Sequence, residues 1–176
     1  IEGWLARLRQ ELLGGLQLVQ FREPGWAGDA DSLQAAFQAT LALCRQQGAR
    51  CLINSCHPHA WWSQADGVQL RAADAVRVLQ QDTRPPGWLG VSAHDEQGIA
   101  IARELQADFV VLGHVHATDS HPDAEPLGWE RFRTLAATAG RPVFAIGGQS
   151  LDTQEAARRN GAHGIAALRG PLIEAC

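Results

Sequence analysis

No lysine, methionine or tyrosine occurs among the 176 residues, so all 15 cationic side chains are arginine. There is no excess of positive charge: the formal net charge of −4 argues against a general nucleic-acid role resting on a basic face. No apolar run reaches the roughly 18 residues a membrane-spanning helix needs. No signal-peptide pattern opens the chain. Cysteine is scarce. Cys44, Cys51, Cys56 and Cys176 are too few to form a disulfide framework in a chain this long. Cys44 lies in an Ala/Leu-rich helical pattern and Cys51 in an apolar strand pattern, so both read as small buried residues. A reducing cytoplasm is the expected compartment. The chain opens on Ile1 rather than Met, and a fragment or processed product is expected.

What is present is an alternation of short apolar runs with amphipathic stretches. Strands are expected at 16–21, 51–54, 67–70, 88–92, 109–112, 142–146 and 164–168. Helices are expected near 4–13, 31–47, 57–64, 72–81, 95–106, 128–139 and 151–160. Asp31-Ser32 and Asp95 are expected N-caps, and Gly48 and Gly161 expected C-caps. Strand–helix alternation with short links predicts a parallel sheet in one α/β domain over residues 1–176. A (β/α)8 TIM barrel needs eight strands and seven are found, with a helix at the start. The missing first strand is expected upstream, or the barrel is a seven-stranded variant. The rival architecture is an open doubly wound sheet.

The chemistry-bearing residues cluster after strands, where barrels place their catalytic groups. The apolar run Phe109-Val110-Val111-Leu112 is followed by Gly113-His114-Val115-His116-Ala117-Thr118-Asp119-Ser120-His121. A histidine exchanges protons near neutral pH, so His114, directly after the strand, is the candidate acid/base group. Gln20 and Arg22 are two apart on one strand and share a face, with Val19 and Phe21 on the helix-covered side. A guanidinium fork suits an anionic ligand, while an ion pair with Glu23 is the blander role for Arg22. Asn54 and Ser92 each stand at a strand end and are candidate ligand-binding residues, with His94 either facing ligand or capping the next helix. Cys56, His57 and His59 are metal-ligating types, but their spacing matches no standard zinc pattern, and a helix start at Pro58 is the simpler reading. Gly147-Gly148, and Gly170 after the last strand, occupy the places where barrel loops bind phosphate through backbone N–H groups.

Seven segments in order resemble the thiamin phosphate synthase/TenI superfamily: Val19–Glu23, Leu52–Asn54, Asp66–Leu70, Gly90–His94, Gly113–His121, Ala145–Gly148 and Gly161–Ala166. The resemblance implies a (β/α)8 barrel acting on a thiazole or pyrimidine phosphate. Its synthase branch joins a pyrimidine pyrophosphate to a thiazole phosphate with Mg2+. Against that branch, Pro24 and His121 stand where it has lysines, and Ser55 stands where it has a metal-binding aspartate. Arg169 stands where it has a serine, and its second metal carboxylate corresponds to Asp74. Its TenI branch, a thiazole tautomerase, carries Gly-His-Val-x-x-Thr, matched by Gly113-His114-Val115-His116-Ala117-Thr118.

The expected function is therefore a TenI-like thiazole phosphate tautomerase in thiamin biosynthesis, using His114 for proton transfer without metal or other cofactor. Gln20, Arg22, Asn54, Ser92 and Thr118 would bind substrate, and Gly147, Gly148 and Gly170 its phosphate. Asp74 is the sole metal candidate, and Mg2+ is expected only if the synthase alternative holds. Similar domains are fused to Nudix hydrolases, and the last segment, Gly164–Gly170, resembles those most. In such a fusion the domain is either an enzyme or a degenerate phosphate-binding module. A homo-oligomer is compatible with each reading.

Overall fold

The computed structural model describes residues 2–118 and 125–168. Contacts between residues divide the chain into two compact units, one of residues 2–69 with 85–88, the other of residues 70–84 with 89–118 and 125–168.

The first unit opens with α1 (Glu2–Leu13), followed by β1 (Leu18–Phe21), α2 (Ala30–Gln46), β2 (Arg50–Asn54), a 3-10 turn (His59–Gln64) and β3 (Gly67–Leu70), whose last residue falls to the second unit. The strands are parallel and in chain order, with Phe21 level with Ile53 and Asn54 level with Gln69. Four residues of β2, Cys51 to Asn54, are buried, as parallel strands covered on both faces require. Helix α2 buries Ala36, Phe37, Thr40, Leu41, Leu43 and Cys44, a stripe at three- and four-residue spacing. Phe21 meets Phe37 with ring centroids 5.3 Å apart, confirming that Phe21 faces the helices.

The second unit holds α3 (Ala72–Gln80), β4 (Trp88–Ala93), α4 (Glu96–Glu104), β5 (Phe109–Gly113), α5 (Gly128–Thr138), β6 (Val143–Ile146), α6 (Gln154–Arg159) and β7 (Gly164–Ile165). Trp88 alone of β4 belongs to the first unit. Strands β4 to β7 are again parallel and in chain order. In both units an aspartate before a strand fastens the preceding strand. Asp66 Oδ2 accepts the Cys51 N–H at 2.8 Å, and Asp108 Oδ2 accepts the Leu89 N–H at 2.7 Å.

Several expected boundaries shift for local reasons. β1 starts at Leu18 rather than Leu16, because the Leu16 N–H returns to the Glu11 carbonyl at 3.0 Å and closes α1. The N-cap of α2 is Asp29, not Asp31-Ser32: its carboxylate accepts the Ser32 N–H at 2.8 Å, which leaves Asp31 in the first turn. Asp95 caps α4 as expected, accepting from the Gly98 N–H. Gln47 holds the C-cap position of α2, and Gly48 follows it with φ +72°, the left-handed residue that ends the helix. Residues 57–64 form only a 3-10 turn from His59, and the last helix begins with a 3-10 turn at Leu151–Thr153. β7 ends at Ile165 rather than Leu168, whose side chain is 61% exposed. No helix among the described residues is long and apolar enough to cross a membrane.

Candidate functional site

In the first unit, the ends of β1 and β2 are tied by side chains. The Asn54 side-chain amide donates to Gln20 Oε1, and Asn54 Oδ1 accepts the Cys56 N–H at 3.0 Å. Asn54 is buried, and so is Gln69, level with it on β3. Gln20, Asn54 and Gln69 are thus the polar residues toward the C-terminal ends of β1, β2 and β3. Gln69 was not among the expected site residues, although a lone polar residue inside Gly67-Val68-Gln69-Leu70 was a readable signal. Arg22 follows β1 with an exposed side chain and has no ion pair, with Glu23 or any other residue, among the described residues.

His57 is not a metal ligand in this arrangement. Its Nε2 accepts the Glu23 backbone N–H at 3.1 Å, and its ring lies 5.0 Å from Phe21 and 6.1 Å from Trp61. Burial first, and the Arg22 charge second, hold its pKa below the ordinary histidine value. The neutral ring that accepts at Nε2 carries its proton on Nδ1. His59 packs its ring 4.5 Å from Trp62. Among the described residues, Cys56, His57 and His59 do not form a group that could hold a metal ion. Cys44 and Cys51 are buried thiols as expected, and hydrogen bonding to Cys44 followed by burial pushes the Cys51 thiol up.

In the second unit, His114 and the Gly147-Gly148 turn are in direct contact. A β-carbon placed on Gly147 would stand 2.4 Å from His114 Cβ, and one on Gly148 would stand 2.9 Å from His116 Cβ. Both glycines have positive φ, +93° and +66°, which side chains disfavour. The strand-end loop is pinned along this turn: Val115 N–H donates to the Ile146 carbonyl at 2.8 Å and His116 N–H to the Gly147 carbonyl at 3.3 Å. The Gly148 N–H has no hydrogen-bond partner among the described residues. Gln149 braces the turn, an unexpected contributor. It is buried, its amide donates to the Gly147 carbonyl at 2.8 Å, and its Oε1 accepts from the Thr153 hydroxyl at 3.0 Å.

Ser92 is half-buried near the end of β4. It borders a cavity of about 200 Å³ with His94, Ala72, Val76, Gly98 and Ile101. His94 is exposed and its Nδ1 donates to the Gly113 carbonyl, so it braces β5 and leaves the capping of α4 to Asp95. The Thr118 hydroxyl is buried without a partner among the described residues. His121, Arg169 and Gly170 lie outside the described residues.

The synthase branch implies a resident Mg2+, and the residues do not fit one. Asp74 is buried at the start of α3 with one carboxylate oxygen 2.6 Å from Arg71 Nε and the other held by Arg77. A cation there would have to displace two guanidinium groups. Among the described residues no group of three or more His, Cys, Asp or Glu is placed to hold a metal.

The sequence matches the family described as thiamine monophosphate synthase (TMP-TENI) over residues 2–170. It is 30% identical over 167 residues to a putative thiamine-phosphate synthase 2 of Aquifex aeolicus, spanning 95% of this chain and 89% of that one. A thiamine-phosphate synthase of Laribacter hongkongensis is 34% identical over 170 residues, 96% of this chain and 79% of its own. Among solved structures, the thiamine phosphate pyrophosphorylase of Pyrococcus furiosus superposes with a TM-score of 0.76 at 23% identity, over 96% of this chain and 83% of that one. A 3-hexulose-6-phosphate synthase gives 0.61 at 16% identity, over 93% and 83%. These two likenesses show a shared fold.

Proposed function

Because the chain belongs to the thiamine monophosphate synthase family, we propose that it binds a phosphorylated thiazole and a pyrimidine pyrophosphate and joins them as a thiamin phosphate synthase. The observation that carries this reading is the match along residues 2–170, together with relatives at 30% and 34% identity that are named synthases. It takes first place over the tautomerase expected from the Gly113–Thr118 loop. Residues Gln20 and Asn54 orient a ring through their amides. Arg22 offers a fork of donors to the pyrophosphate. The Gly148 N–H, without a partner among the described residues, and the left-handed turn suit a phosphate oxygen. Thr118 supplies a hydroxyl with no internal partner among the described residues. An eighth strand closing a (β/α)8 barrel is part of the same proposal. No step is routed through Mg2+, because Asp74 is committed to two arginines.

A second reading, proton transfer on a thiazole carboxylate phosphate, is favoured by one observation, the contact of His114 with the Gly147 turn. An imidazole beside a phosphate-binding turn is placed to move a proton on the ring that the phosphate anchors.

One pair of assays separates the readings. The synthase reading expects thiamin phosphate and released pyrophosphate when both substrates are supplied. The tautomerase reading expects aromatisation of the thiazole phosphate tautomer alone, reduced about 10²–10⁴-fold by His114→Ala, the usual share of general acid–base catalysis. A protein that binds the thiazole phosphate and accelerates neither reaction is a binding module, and both enzymatic readings fall.

A further inference from the structure

The segment after β1 is held on both sides of Arg22 by a single short stretch, Asn54–His57. On one side the Asn54 amide grips Gln20, two residues before Arg22. On the other, His57 Nε2 accepts the N–H of Glu23, one residue after it. The stretch is itself closed, because the His57 N–H donates to the Asn54 carbonyl at 3.1 Å and the Cys56 N–H to Asn54 Oδ1 at 3.0 Å. His57 has little freedom to move. It is 6% exposed, with its ring against Phe21 and near-parallel to Trp61, whose ring stacks in turn on Phe37 of α2 at 5.8 Å. A buried acceptor on a rigid aromatic support therefore fixes the backbone beside an arginine whose own side chain is exposed and unpaired among the described residues.

We infer that His57 is a positioning residue: by accepting the Glu23 N–H it holds the Arg22–Glu23 backbone so that the Arg22 guanidinium is presented to an anionic ligand. The physical reason is entropic. An exposed arginine on a free loop must be ordered when ligand binds, whereas one on a pinned backbone has only its side chain left to order. Only the ligand arm of this inference rests on the proposed function; the backbone clamp stands on the first unit alone.

The decisive variants are His57→Phe, which keeps a ring in the aromatic cluster and loses the acceptor, and His57→Gln, whose Oε1 restores an acceptor near the position of Nε2. Amide hydrogen exchange is read at Glu23 and Arg22. Exchange at Glu23 is expected to rise about 2- to 12-fold in His57→Phe, the range a lost hydrogen bond produces, and to return toward the starting value in His57→Gln. Unchanged exchange at Glu23 in a folded His57→Phe overturns the inference. Long-range 1H–15N spectra of the unmodified protein give a reading that needs no variant. The Nδ1–H tautomer with Nε2 unprotonated is expected, and a proton on Nε2 overturns the clamp. Inorganic pyrophosphate is the ligand probe. His57→Phe should weaken it in the same direction as Arg22→Ala, with rescue by His57→Gln. If pyrophosphate binds and His57→Phe leaves its affinity unchanged, the presenting role is overturned. If pyrophosphate does not bind the unmodified protein, both the anion-binding reading of Arg22 and the presenting role fall, while exchange and the tautomer still decide the clamp.

Discussion

Replacing Gly147 with alanine tests whether the glycine turn and His114 form one unit. The new β-carbon would lie 2.4 Å from His114 Cβ and 2.7 Å from His114 Cα, and the second of these is backbone that cannot rotate away. The residue also has φ +93°, outside the range that side chains adopt readily. The conformational part costs about 1–2 kcal/mol and the steric part about 1–3 kcal/mol. The loss is then about 2–5 kcal/mol, which lowers the melting temperature of a chain this size by about 4–20 °C. Gly140→Ala is the control, because Gly140 has φ +62° with nothing within 4 Å of its β-carbon and carries only the conformational part. Gly148→Ala should fall between them, since its close neighbour at 2.9 Å is the side chain of His116. Thermal melts of the three variants, followed by circular dichroism, give the order. If Gly147→Ala melts no lower than Gly140→Ala, His114 does not abut the turn and the reading of a joint site is wrong. Retained turnover in a folded Gly147→Ala protein would separately remove His114 from the chemistry.

Three further outcomes are expected. Arg22→Ala should weaken pyrophosphate binding in calorimetry by about 1.5–3 kcal/mol, as for a lost hydrogen bond to a charged group, and should barely change the melt, because the side chain is exposed. Since the pKa of His57 is lowered by burial and by Arg22, its contribution is intact above the ordinary value of about 6.5. Stability is then lost as pH falls below that value toward the folded pKa, because the unfolded chain takes up the proton first. Urea midpoints at pH 7.5 and 5.5 should diverge less in His57→Gln than in the unmodified protein, and equal divergence would assign the slope to other groups. With Asp74 paired to Arg71 and Arg77, titration with Mg2+ alone should show no tight site. Tight binding abolished by Asp74→Asn would show that the arginines yield to the metal.

Sequence alone determined the elements and their alternation. Buried parallel strands read as apolar runs, so β2, β3 and β5 were legible to within a residue. Apolar spacing exposed the buried face of α2 in the same way. Order along the chain also placed His114 and Gly147-Gly148 after successive strands, and the parallel pairing of β5 with β6 then brings them together. Tertiary structure decided what the polar groups do. His57 and Glu23 are 34 positions apart, as are Gln20 and Asn54, and no local pattern joins them. The same holds for Asp66 and Asp108, whose carboxylates fasten neighbouring strands across 15 and 19 positions. Asp74 entered only through the family resemblance, as the counterpart of a metal carboxylate, and only packing shows it held between two arginines. Apolar burial is written into local periodicity because each residue meets the core by itself. A hydrogen bond needs two groups at one distance and angle, and the fold alone supplies the second partner.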